Sequence, residues 1–179
     1  NISTSEKLRA AEAELRKQLA YDWHPRMCLL DHFLHPETTL EAFRKASYGE
    51  QGDFVTGEYA CQHSENAAGL TLLLSREGRV WSGGASLPLR VEKDVLLRHD
   101  GSWRADYRVT NLGAHKGEFW FGPELALAFS GGERCLAGEL KGVKKHAFPD
   151  PYYGGVELEF SEPLDLWGFP LETISRSEE

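Results

Sequence analysis

From Tyr48 onward the apolar residues recur at every second position, in short runs separated by turn signals. A period of two sends alternate side chains to opposite faces of a strand, so this pattern commits most of the chain to β-structure. Leu87, Leu89 and Val91 alternate, and residues 95–97 follow. Asp100-Gly101 is the strongest short hairpin signal in the chain. Beyond it Trp103, Ala105, Tyr107 and Val109 alternate with Arg104, Asp106 and Arg108, which places Trp103 in the core beside Tyr107 and Val109. The continuous apolar run at 70–74 reads as a strand buried on both faces. Glu77-Gly78 reads as its turn, with residues 79–81 returning as a hairpin partner. Two strand segments are expected around Gly122-Pro123, and more at 156–160, 164–167 and 171–174. Many short strands with regular turns mean a sandwich or barrel.

The first 47 residues follow a different grammar. Ser3 and Glu6 have capping-box spacing, and Leu8, Ala11, Leu15 and Leu19 continue at helical intervals. His24-Pro25 is a break. Residues 36–46 read as a short second helix, with Thr38 and Glu41 as its capping box. The expected organisation is one domain: an N-terminal helical segment at 1–47 packed on a β-sandwich at 48–179.

Composition narrows the function classes. The chain has 179 residues and 41% hydrophobic content, enough for a core without disulfides. Its formal net charge of -8 opposes nucleic-acid binding. Lys141, Lys144 and Lys145 form a solvated loop face rather than a phosphate site. No apolar run approaches the ~20 residues that span a bilayer, so no membrane partner is expected. Cys28, Cys61 and Cys135 are odd in number and far apart, which disfavours a disulfide framework and points to a cytoplasmic setting.

The chemistry-bearing residues are suggestive rather than diagnostic. His32 and His35 flank no H-E-x-x-H pattern, so Asp31 and His32 read as hydrogen-bonding groups at the junction of helix and sandwich, and no metal or other cofactor is expected. An epimerase would need a histidine base and a carboxylate in one cleft; His63, His99, His115, His146 and Glu124 supply ingredients only. Tryptophan rings suit the C–H face of a pyranose. Trp120 is out of phase with Phe119 and Phe121 and so points away from a core they face. Trp120 is thus the first candidate platform and Trp23, beside Pro25, the second; Trp167, before Gly168, is placed in a turn.

Several blocks together resemble a known family. YDWHPRMCLLDHFL at 21–34 and ETTLEAFRKASYGEQGDFV at 37–55 are similar to the opening of the C-terminal domain of family 57 glycoside hydrolases, of the α-amylase and 4-α-glucanotransferase type. YRVTN at 107–111, FGPELALAF at 121–129 and SEPLDLWGFPLETISRSE at 161–178 resemble later blocks in the same order. The resemblance implies a mainly β, galactose-mutarotase-like, carbohydrate-binding sandwich. It implies a partner too: a catalytic barrel in the same parent chain, which carries the catalytic residues, so none is assigned here. The family domain is longer, and the chain starts at Asn1 with its only methionine at Met27, so a fragment lacking closing strands is expected. The expected function is non-catalytic support of the barrel and contact with α-glucan or maltooligosaccharide. Trp120, Trp23, Glu124, Asp31 and His32 form the candidate substrate-binding set. The alternatives are a purely structural domain and a free-standing aldose epimerase-like enzyme.

Overall fold

The structure, a computed structural model, describes residues 22–130 and 136–171. The helix expected at 3–19 and most of the strand expected at 171–174 lie outside the described residues. No described helix is long and apolar enough to cross a membrane. The described residues are mainly β and cluster into two compact units.

The first unit takes in Asp22–Thr38 and Tyr48–Ala126. Its centre is a four-stranded antiparallel meander of β2 (Ala60–Asn66), β3 (Gly69–Ser82), β4 (Ala85–Leu97) and β5 (Trp103–Asn111). The β3–β4 hairpin turns at Gly83-Gly84, both with positive φ of 58° and 79°. The β4–β5 hairpin turns at Asp100-Gly101 as the dipeptide signals, with Gly101 at φ 85°. A second pair, β1 (Leu30–Leu34) with β6 (Trp120–Glu124), is antiparallel and joins residues about ninety positions apart. Residues 50–52 link the two sheets: Glu50 bridges Leu34 on one side, and Gly52 bridges Val80 on the other.

The core of this unit is Phe33, Phe54, Val80, Leu87, Leu89 and Val91, with Tyr59, Tyr107, Phe119 and Phe121 packed against it. Phe33 is fully buried, and its ring lies 4.9 to 5.2 Å from those of Phe54, Phe119 and Phe121. Truncating such a ring to alanine costs about 3–5 kcal/mol.

Four local expectations change. Gly78 is not a turn; it pairs with Leu89 in the middle of one long β3. A Cβ there would lie 2.3 Å from Asp53 Oδ1 and 2.8 Å from the Phe54 ring, so the glycine marks close packing. The run at 70–74 is not buried on both faces, since Leu73 is exposed. Trp103 is 39% exposed, at the start of the edge strand β5, and does not enter the core that Tyr107 reaches. Gly122-Pro123 does not separate two strands; it lies within β6.

The second unit holds Thr39–Ser47 and the described residues from Leu127 on. Its helix α1 (Leu40–Arg44) is capped by Thr39, one residue after the expected Thr38, with Thr39 Oγ1 accepting from the Ala42 amide. The antiparallel ribbon of β7 (Gly138–Phe148) and β8 (Val156–Gly168) carries register shifts around Leu140 to Lys145. Trp167 is a strand residue, not a turn residue; its indole N–H donates to Glu139, and its ring packs near Phe43.

Candidate functional site

Strand β1 is buried on both faces, which a strand with Asp31 and His32 at its centre can tolerate only if each finds partners. Alternation sends Asp31 and Phe33 one way and His32 the other.

On the Phe33 side, Lys93 interrupts the inward row Leu87, Leu89, Val91 and Val95 of β4, yet it is only 5% exposed. Its ammonium lies 2.7 Å from Asp31 Oδ2 and donates to the Leu29 carbonyl at 2.7 Å. The Tyr59 hydroxyl also donates to Asp31 Oδ2. The Lys93 ammonium sits 4.2 Å from the centre of the Tyr59 ring and 5.8 Å from that of Tyr107. Burial raises the Asp31 pKa, against the pull of Lys93. Burial and the Asp31 charge raise the Tyr59 hydroxyl well above the usual tyrosine value, which keeps it a donor. Leu29 adopts φ 63°, a strained choice for a branched side chain, and that kink aims its carbonyl at Lys93 while its amide donates to the Glu124 carbonyl.

On the other side His32 lies between two carboxylates. Its Nδ1 is 2.8 Å from Glu50 Oε2, and its Nε2 is 3.1 Å from Glu124 Oε2. Burial works to discharge the ring, but these two hydrogen bonds and charges outweigh it and raise the His32 pKa. Glu50 is fixed in turn by the Phe33 amide at 2.6 Å and the Gly52 amide at 3.3 Å. Arg26 donates to Glu124 Oε2 at 2.8 Å and to Asp22 at 2.5 Å. Desolvation alone would raise Glu124, but His32 and Arg26 bring it below the ordinary glutamate value. His24 is 5% exposed, with Nε2 3.7 Å from Glu124 Oε2 and its ring 5.3 Å from that of His32. Neither His24 nitrogen has a hydrogen-bond partner, and burial lowers its pKa below the ordinary histidine value. His24, His32 and Glu124 offer ligand atoms all within 4.8 Å of one another.

The rim of this second cluster is aromatic. Trp23 is 48% exposed and meets the His24 ring edge-on at 4.5 Å. Trp120 is 43% exposed and, by strand alternation, shares a face of β6 with Gly122 and Glu124. A Cβ on Gly122 would meet nothing within 4 Å, so the face is open between Trp120 and Glu124.

The chain matches the family model described as "Alpha-amylase/4-alpha-glucanotransferase, C-terminal" over residues 2–179. It belongs to that family of C-terminal domains. Over 166 residues it is 42% identical to a 4-alpha-glucanotransferase of Thermococcus kodakarensis, covering 92% of this chain and 23% of that protein. It is 34% identical to an alpha-amylase of Pyrococcus abyssi, again over 92% of this chain and 23% of that protein. The crystal structure of 4-alpha-glucanotransferase from Thermococcus litoralis superposes with a TM-score of 0.75 at 39% identity, over 92% of this chain and 24% of that one. The chain thus spans about a quarter of the length of these relatives.

Of the five residues in the candidate set, Trp23, His32 and Glu124 belong to one cluster, and Trp120 lies on the Glu124 face of β6. Asp31 points to the opposite side, into the pair with Lys93. His24, Arg26, Glu50 and Lys93 complete the two clusters, and the sequence reading did not single them out. For Lys93 a signal existed: a lysine in phase with buried Leu87, Leu89, Val91 and Val95 demands a buried partner. For His24 and Glu50 there was none, because Glu124 reaches His24 and His32 through β1–β6 pairing and Glu50 reaches His32 through its bridge to Leu34.

Proposed function

We propose that this chain is the non-catalytic, carbohydrate-associated part of an α-glucan-processing enzyme, and that it contacts glucan through the face carrying Trp23, Trp120 and Glu124. The reading is carried by two half-exposed indoles beside a buried carboxylate, with open space over Gly122. Indole faces take the apolar face of a pyranose, and Glu124 beneath them holds Arg26 and His32 in place. The names of the relatives, a glucanotransferase and an amylase, support α-glucan as the sugar. A catalytic barrel in the same parent chain is the partner this reading requires, and the share of each relative that lies outside the match supports it. The two sheets bridged through residues 50–52 support a galactose-mutarotase-like sandwich as the fold. Free thiols at Cys28 and Cys61 support a reducing, cytoplasmic setting.

Calorimetric titration of the chain with maltooligosaccharides tests the proposal. Saturable binding, weakened at least ~10-fold by Trp120→Ala, is expected for an aromatic anchor. Binding that is absent, or indifferent to both Trp120→Ala and Trp23→Ala, would overturn it.

A further inference from the structure

We infer that His24, His32 and Glu124 form a zinc-class divalent metal site beneath the aromatic rim. The first argument is the orphaned histidine. His24 is buried with both ring nitrogens unpartnered, although buried polar groups nearly always find a partner. Glu124 Oε1 is also buried without a partner, while its other oxygen is occupied by Arg26 and His32. Both residues offer a ligand atom within 4.8 Å of the other and of His32.

The second argument is spacing. Tetrahedral zinc with bonds of about 2.0–2.1 Å separates its ligand atoms by roughly 3.3–3.5 Å. Two separations, 3.1 Å from His32 to Glu124 and 3.7 Å from His24 to Glu124, flank that edge, and all three ligand atoms lie within 4.8 Å of one another. A metal-binding histidine is normally oriented by a carboxylate on its other nitrogen. Glu50 does this for His32 Nδ1, and is itself locked by two backbone amides.

The third argument is charge. Asp22 and Glu124 share the Arg26 guanidinium, and Glu50 and Glu124 flank His32, so the group holds three carboxylates against one guanidinium. A divalent cation held by the imidazoles balances the two carboxylate charges that Arg26 leaves over. Coordination would displace the Nε2 proton of His32 to solvent, with Glu124 supplying a carboxylate oxygen while Arg26 stays paired to the same carboxylate. Two imidazoles and one carboxylate suit zinc better than calcium or magnesium. The ion would tie the segment bearing Trp23 to the β1–β6 pair. The site does not depend on glucan binding, and its test uses no sugar.

The full chain, stripped with chelator and with its thiols alkylated, is titrated with Zn2+ by calorimetry and with Co2+ by visible absorption. One ion per chain and an intense four-coordinate Co2+ band are expected. His24→Gln should weaken zinc at least ~10-fold, and Glu50→Gln by about 10–100-fold through the lost orienting bond. His35→Gln, on an exposed residue, should change nothing. X-ray absorption at the zinc edge of the unmutated chain provides a check that no folding defect can confuse: it should show two imidazoles and oxygen. No saturable binding, an affinity unmoved by His24→Gln in a variant folded by circular dichroism, or a shell without imidazole would each overturn the inference.

Discussion

Asp31 and His32 are neighbours on one strand, and the two faces of that strand treat charge differently. On the inner face one carboxylate meets one ammonium, and tyrosine rings cover the pair. On the outer face carboxylates outnumber guanidinium, and two imidazoles join them with opposite tendencies, His32 raised and His24 lowered. The inner pair has few alternatives open to it. The outer group can accept a cation, because imidazole and carboxylate are both metal ligands. Burial alone therefore does not distinguish a structural polar cluster from a functional one; the ratio and type of the partners do.

The sharpest way to break the comparison is Lys93→Met. It leaves Asp31 buried without its counter-charge and should cost about 3–5 kcal/mol in urea unfolding. The double variant Asp31→Leu with Lys93→Met should recover most of that loss, because a buried pair replaced as a unit is often close to neutral. A double variant as unstable as Lys93→Met alone would show that the inner face needs its charges. Tyr59→Phe removes one hydrogen bond to the same carboxylate and should cost about 1.5–3 kcal/mol by the same measurement.

Asp150 in the second unit sharpens the contrast, since it is held by neutral donors. The Ser130 hydroxyl and amide, and the amides of Tyr152 and Tyr153, all donate to it and lower its pKa well below the usual carboxylate range. A lowered folded pKa gives stability that is present above the unfolded value, about 3.9, and is lost as pH falls through the folded one. Asp150→Asn should therefore reduce stability at neutral pH and flatten the loss below about pH 4, followed by thermal melts across the acid range. Trp120→Ala should move stability least, by about 1–2 kcal/mol, since its side chain is only partly buried. A larger loss would make Trp120 a packing residue and remove the main support for the glucan platform.

Periodicity made β4 and β5 legible, and Asp100-Gly101 gave the turn between them. It also set Trp120 opposite Phe119 and Phe121, as the structure has it. It failed at Gly78, where a glycine answered to the bulk of Asp53 and Phe54 rather than to a change of direction. It failed at Trp103 because phase tells which face a residue takes, not whether an edge strand is covered there. The resemblance carried family membership, which periodicity could not. The His24, His32, Glu50 and Glu124 group was illegible for a different reason: its members come from three separate stretches and meet only through long-range pairing.

The placement of β1 also bears on how the chain reaches its native state. The β2–β5 meander joins neighbours in sequence through short turns and can assemble from local contacts. β1 cannot, because its strand partner and its counter-ion lie about ninety and sixty residues away. Contacts of that range are slow to close. Until β1 docks, Lys93 has no anion and must stay hydrated at what will become the centre of the unit. Its dehydration is thus coupled to the arrival of Asp31. Substitutions at Asp31 or Lys93 should act on the late, sheet-closing step, leaving the rate at which the meander first forms unchanged.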